Sequence, residues 1–284
     1  MSRVINIPEG TGLVDPISGN FASVNADRNL NIKDAESGLA IAKGDVTDTS
    51  FIHKFGNAPD FDTGDGYVTI WDGANDGTVN IMQYTYSTTA DIDSIVSTSA
   101  ADTVAVEIQG LDANYNVSVQ TITLNGQTRV AFTTSLIRVF RMKNMGSTNL
   151  VGIVSCYVNS AAPGGVVTDK TKVRAIINDG NNQTLMAIYT IPVGYTGYMR
   201  DWYASTSGGK ADAFHTIRLF ARPFGGVFQV KHVSALSTAG SSYIQHKYDE
   251  PEVFSEKTDI AMRSNTTVNE SGVSAGFDIV LVKN

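Results

Sequence analysis

Few residues in this chain could do chemistry, and their spacing decides what that chemistry could be. The four histidines are His53, His215, His232 and His246, and the single cysteine is Cys156. A zinc centre needs three or four Cys, His or carboxylate ligands at short, recognisable spacings. His215 and His232 lie in alternating runs and could face each other across a sheet, but a pair is too few, so no metal ligand is assigned. Gly272-Val273-Ser274-Ala275-Gly276 matches the nucleophile-elbow pattern G-x-S-x-G. That elbow works on a strand–turn–helix, with its acid and its histidine following the serine. Here a β-type run follows Gly276, and the last histidine, His246, comes before the serine. The match is expected to be chance.

Asp60, Asp62, Asp65, Asp72 and Asp76 form a dense acidic run whose hard oxygens could hold Ca²⁺. The EF-hand pattern fails, because its fifth position falls on Gly64 and its twelfth on Trp71. Asp and Gly are also the default turn residues, and turn chemistry is the expectation. Neither a P-loop nor a dinucleotide fingerprint is present, and Glu107 and Glu256 have no identifiable carboxylate partner. No catalytic residue, cofactor or metal is therefore assigned, and no enzymatic activity is expected. Cys156 sits in the apolar run Val151–Val158, where burial is expected. Trp71, Tyr84, Tyr86, Trp202 and Tyr203 could line a sugar platform, but rings in alternating runs are more often core.

The elements that must carry these residues are strands. Thr103–Gln109 and Tyr115–Gln120 alternate with a period of two, which puts every second side chain on one face of a strand. Asn125-Gly126 then precedes Thr128–Phe132, the signature of a hairpin on a type I′ turn. Tyr67–Trp71, Val79–Tyr86 and Asp93–Ser97 are expected strands before this stretch. Leu136–Met142 and Val151–Val158 follow it, apolar on both faces, as strands covered on both sides are. Asn159–Thr168 reads as a linker. Beyond it Val173–Ile177, Thr184–Ile191, Gly197–Ser205, Phe214–Arg222, Val227–Val233, Tyr243–Tyr248, Asp259–Arg263 and Phe277–Val282 are spaced as in a sandwich or jelly roll. Asp72–Tyr84 and Asp179–Tyr189 echo each other, each a DG turn leading into a Met-containing run.

Residues 1–58 are different. Gly, Pro, Asn and Asp break them repeatedly, and only Ala35–Lys43 reads as a short helix. Such a segment buries too little apolar surface to offset its own ordering entropy, and it orders best against a partner. The expected organisation is all-β: an extended N-terminal arm (1–58), an antiparallel β-sandwich (59–160), a linker (161–168) and a second, jelly-roll-like sandwich (169–284). Val4, Ile5, Ile7, Leu13, Val14 and Ile17 are the expected partner-binding anchors of the arm.

With 284 residues the chain can bury a sizeable core without a disulfide. Its net charge of −7 argues against an electrostatic grip on nucleic acid or on an anionic membrane. Met1–Asn20 has no apolar core and no stretch reaches the ~18 apolar residues of a membrane span, so no signal peptide and no membrane contact are expected.

His53-Lys54-Phe55-Gly56-Asn57-Ala58-Pro59-Asp60 and Ile70-Trp71-Asp72-Gly73 resemble a recurrent family of tailed-bacteriophage virion structural proteins. The likeness continues in Gly110–Asn116, Thr123–Thr128, Thr184–Gly194, Arg222–Gly226 and Glu256–Ile260, and covers roughly Ile52 to the C-terminus. It implies a non-enzymatic virion component and no catalytic residue. Two expectations follow from it. One is a capsid decoration or cement protein on the capsid exterior, assembled in the host cytoplasm. It would bind the major capsid protein and tie capsomers together as a homo-oligomer, with a trimer favoured. The other is a head- or tail-fibre adhesin for host glycan, with an exposed aromatic shelf around Trp202-Tyr203. A glycan-cleaving enzyme ranks last, for want of a carboxylate or histidine arrangement.

Overall fold

Period-two patterning dominates the computed structural model, which describes residues 13–14, 21–24, 30–32, 38–74, 79–207, 212–240 and 242–284. The fold is all-β, built of antiparallel sheets packed as sandwiches, as the alternating runs predict. Two units divide the chain, Met1–Phe51 and Ile52–Asn284.

In the first unit β1 (Leu13–Val14), β2 (Phe21–Val24) and β3 (Leu30–Ile32) form a small antiparallel sheet. Helix α1 (Gly38–Ala42) falls inside the expected Ala35–Lys43 helix. Of the expected anchors, Leu13 and Val14 make up β1, in register with Ala22 and Phe21. Val4, Ile5, Ile7 and Ile17 lie outside the described residues.

The second unit opens with β4 (Thr49–Phe61) and β5 (Val68–Thr69). Next come β6 (Ile92–Ser97), β7 (Ala105–Leu111), β8 (Val117–Thr123), β9 (Val130–Leu136), β10 (Arg138–Asn144), β11 (Val154–Val158) and β12 (Val173–Ile177). The chain ends with β13 (Ile188–Thr190), β14 (Tyr195–Ser207), β15 (Phe214–Arg222), β16 (Gln229–Ser237), β17 (Tyr243–Phe254), β18 (Asp259–Thr266) and β19 (Ser271–Lys283). One sandwich sets the sheet β10-β7-β8 against β12-β11-β6-β9, joined where β8 meets β9 and β10 meets β12. The other sets β13-β18-β15-β16, with β5 beside β18, against β17-β14-β19-β4. β15 shows the logic most plainly. His215, Ile217, Leu219 and Ala221 are buried and their neighbours are not, the period of two that a half-covered sheet demands. β11, buried on both faces from Val154 to Tyr157, is the covered strand that its apolar run predicts. One apolar cluster containing the fully buried Phe61, Trp71, Tyr157, Trp202 and Phe277 fills this unit.

Three expectations need correction. The segment 161–168 joins β11 to β12, which pair side by side in one sheet, and the compact unit runs unbroken across it. The expected arm is shorter than 1–58, since residues 52–58 belong to the sandwich strand β4. Asn125-Gly126 does not join paired strands: β8 pairs with β7, β9 pairs with β6, and the turn carries the chain from one sheet to the other. Nor is the turn type I′. Gly126 has φ +54 at the first central position while Asn125 stands outside the turn's centre, its carbonyl accepting from Thr128 at 3.0 Å. A side chain at Gly126 would meet Ala100 backbone at 2.8 Å, so the docked 97–102 loop overrides the hairpin signal.

Val79–Tyr86 forms no strand. It is held instead by single bonds, Thr69 N–H to Met82 O at 2.7 Å and Ile81 N–H to Gly73 O at 2.9 Å. Trp71 drops beneath it, donating Nε1 to Ile81 O at 3.0 Å, and Gly73 leaves room for the indole, which a Cβ there would meet at 2.2 Å. The two echoing segments meet each other: Trp71 bridges Met186, and Asp72 exchanges hydrogen bonds with the Leu185 backbone. Among the described residues no helix is long and apolar enough to cross a membrane.

Candidate functional site

Five separate turns and strand ends converge on one cleft of about 300 Å³ in the second unit. Arg138 opens β10, Arg222 closes β15 and Asp259 opens β18, where Arg222 and Asp259 are cross-strand partners. Asp259 is the hub. Arg138 donates to it from Nε at 2.8 Å and Nη2 at 3.1 Å, a bidentate pair whose side chains are only 7% and 4% exposed. Arg222 Nε and Nη2 donate to Oδ2 at 3.1 and 2.5 Å, and the Thr190 hydroxyl donates to Oδ1 at 2.6 Å. Arg138 Nη1 finishes on the carbonyls of Ser87 and Ile137. Burial works against the charge of Arg138, but the Asp259 bonds outweigh it and hold the guanidinium's pKa above its ordinary value.

Aromatic rings enclose these charges. The Arg138 guanidinium lies 5.1 Å from the Tyr86 ring centre, and that of Arg222 lies 4.8 Å from the same ring and 4.7 Å from Phe228. Burial, with Asp259 adding to it, pushes the Tyr86 phenol upward, so it stays protonated. At the mouth, Tyr115 and Phe224 meet edge to face at 5.7 Å, and the Lys257 ammonium stands 5.6 and 5.1 Å from their ring centres.

The backbone at the mouth is unusual. Tyr115 has φ +67 and Lys257 φ +60, a left-handed region that costs a residue bearing a side chain. Each is locked there. The Asp112 carboxylate accepts the Asn114 and Asn116 amides at 2.8 and 2.9 Å, shaping the turn around Tyr115, whose carbonyl takes the Val193 N–H at 3.0 Å. The Lys257 N–H donates to Ile191 O at 2.7 Å. The neighbouring Glu256 is turned to the Gly194 N–H at 2.6 Å. The stretches Gly110–Asn116, Arg222–Gly226 and Glu256–Ile260 all supply residues to this cleft.

A second, shallower concavity of about 380 Å³ is lined by His53, Phe55, Tyr203 and Ser274 among others. His53 Nδ1 and Asp278 lie 2.6 Å apart, and the Tyr203 hydroxyl lies 3.4 Å from Nε2. Ser274, the would-be elbow serine, sits within the unbroken strand β19 and donates to Asn57 Oδ1 at 2.8 Å instead. The aromatic shelf expected at Trp202-Tyr203 is not one surface: Trp202 is buried and only Tyr203 reaches the concavity. Trp71 and Tyr84 are buried too. Tyr86 lies at the cleft, a role that its alternating run did not signal.

His215 and His232 do not face each other. His215 pairs with Leu236 and is wholly buried against Phe61, while the His232 ring lies tilted 4.3 Å from that of His246. Among the described residues no three His, Cys, Asp or Glu side chains group to hold a metal. Asp72 is buried and holds the Leu185 amide, Asp65 takes the Asp62 amide, and Asp76 lies outside the described residues. Cys156 is buried and its thiol is pushed upward by burial.

Fold and site together define an antiparallel β-sandwich protein with a cation–aromatic cleft between strand ends. No family model and no curated protein matches the chain. Among solved structures it is similar to the one titled "Crystal structure of infectious bursal disease virus VP2 subviral particle". The identity is 7% over 83% of this chain and 72% of that one, with a TM-score of 0.23.

Proposed function

We propose that the chain is a non-enzymatic virion structural protein, a capsid decoration or cement protein that binds the major capsid protein on the shell exterior and ties neighbouring capsomers together. One observation supports this most. β16 and β17 end their sheets, pair on one side only among the described residues, and carry Val230, Val233, Tyr243 and Val253 exposed. Both are long strands with mixed polar and apolar side chains; an unpaired edge is open to pairing with another chain, and exposed apolar side chains grouped together mark interaction surfaces. The Lys231–Glu252 ion pair at 3.2 Å ties the two strands, so their edges form one face.

Charged replacements there, Val230→Glu with Val253→Glu, are expected to weaken binding to stripped shells about tenfold, roughly 1.4 kcal/mol. The melting temperature should hardly move, because both side chains are exposed. Unchanged affinity would remove this face from the interface.

The N-terminal unit is the second anchor of the proposal, through Val4, Ile5, Ile7, Leu13, Val14 and Ile17. Removing residues 1–48 leaves β4 whole and is expected to abolish shell binding while near- and far-ultraviolet circular dichroism keep the β signature. Decoration by the truncated protein at full affinity would rule the arm out. On a shell the copies would follow local symmetry, and a trimer fits best. The aromatic and cationic cleft favours a second reading, the fibre adhesin for host glycan. Binding of labelled protein to host cells and not to shells would decide for it.

A further inference from the structure

The cleft has an imbalance that its role in packing does not use. Three cations, Arg138, Arg222 and Lys257, line it against one carboxylate, Asp259. Arg138 spends its donors on Asp259, Ser87 and Ile137. The Lys257 ammonium makes no ion pair or hydrogen bond among the described residues; its contacts are the faces of Tyr115 and Phe224. Arg222 keeps 29% of its side chain exposed beyond the Asp259 bonds, and its Nη1 has no partner among the described residues. The fold also holds Tyr115 and Lys257 in left-handed backbone at the mouth, and such residues gather where a ligand is clamped.

We propose that this cleft binds the carboxylate of an acidic sugar, a uronic- or sialic-type residue of a surface polysaccharide, with Lys257 and Arg222 on the carboxylate and the Tyr115–Phe224 corner against the sugar ring. The cavity is at the small end of ligand pockets and suits one monosaccharide unit. Phe224, 64% exposed, presents an aromatic face, and ring faces attract the polarised C–H bonds of a pyranose as they attract cations. Gly225 and Gly226 line the cleft beside it and leave the approach free of side chains. A carboxylate on a flexible peptide side chain would use the cations and leave the two rings idle, which is why the sugar is favoured. The inference is independent of shell attachment, since it concerns the purified chain alone.

The test titrates the full-length protein with sodium glucuronate and with N-acetylneuraminate, followed by calorimetry or by chemical shifts of labelled protein, with glucose as the uncharged control and an Asp/Glu-rich peptide in parallel. Expected are saturable binding of at least one acidic sugar and at least tenfold weaker binding of glucose. Lys257→Gln and Phe224→Ala should each cost at least tenfold. Phe224 is exposed and Lys257 makes no ion pair, so both variants should fold, and unchanged melting checks this. Lys257→Arg should retain most of the affinity. The proposal is overturned if neither acidic sugar binds, if glucose binds equally, if Lys257→Gln leaves affinity unchanged, or if only the acidic peptide binds.

Discussion

Replacing Asp259 with alanine is expected to lower the unfolding free energy by about 3–5 kcal/mol, the cost of stranding a buried charge. Five hydrogen bonds end on this carboxylate, from Arg138, Arg222 and Thr190. Arg222 can turn to water, since its side chain is partly exposed. Arg138 cannot: it is 7% exposed, and it would keep only the Ser87 and Ile137 carbonyls. Its charge would then be paired with dipoles alone. Asp259→Asn separates the two losses, since an amide keeps an acceptor and part of the shape while removing the charge, so it should cost clearly less than alanine. Denaturant midpoints measure both. A loss below about 1 kcal/mol for Asp259→Ala, within the range of an exposed pair, would mean that the cluster is solvated and not a structural hub.

Strands were legible because burial of one face imposes a period of two, as it does at β15, whose bounds match the apolar alternation; β12 is buried on both faces, and its bounds match the expected Val173–Ile177. Pairing was less legible. Asn125-Gly126 carries the local chemistry of a hairpin, yet Gly126 N–H bonds Asp102 O and Gly126 O receives the Ser97 N–H. Those distant bonds set the turn, and a dipeptide cannot announce them. Asn159–Thr168 has the composition of a linker because a tight crossing between β11 and β12 needs the same Pro and Gly. Val79–Tyr86 alternates, but Trp71 and Tyr84 meet edge to face at 5.2 Å and occupy the space a paired strand would need.

The cleft was illegible for a different reason. Its residues, Tyr115, Arg138, Arg222, Lys257 and Asp259, come from turns and strand ends far apart in the chain. No spacing rule connects them. The available signal was the position of Lys and Tyr at turn centres, where Gly or Asn is the cheap choice. A side chain held in left-handed backbone at such a point has a reason to be there, and here Lys257 stands over the Tyr115 ring.

The other large effect expected is a gain. Lys54 lies within β4, is 3% exposed, and donates its ammonium to the Phe140 carbonyl. Burial, with the charge of Arg141 adding to it, holds its pKa well below the ordinary lysine value of 10.5. Folding therefore has to strip or isolate a charge that the unfolded chain keeps in water. Lys54→Met fills the same volume without that cost and forfeits one hydrogen bond, so it is expected to stabilise the protein by about 1–3 kcal/mol. The pH dependence is the sharper test. Below the depressed folded-state pKa both states carry the proton and the penalty is whole. Between that pKa and 10.5 the unfolded state binds more protons, so wild-type stability rises with pH relative to the variant. Above 10.5 the penalty is gone. The buried phenols of Tyr84, Tyr86 and Tyr189, all pushed upward, oppose this at alkaline pH, but they are common to both proteins and cancel in the difference. The advantage of Lys54→Met should thus shrink steadily as the pH is raised towards 10.5. An advantage that stays flat across that range, or a variant less stable than wild type, would mean that Lys54 keeps its proton in the fold and that its bond to Phe140 is worth more than its burial costs.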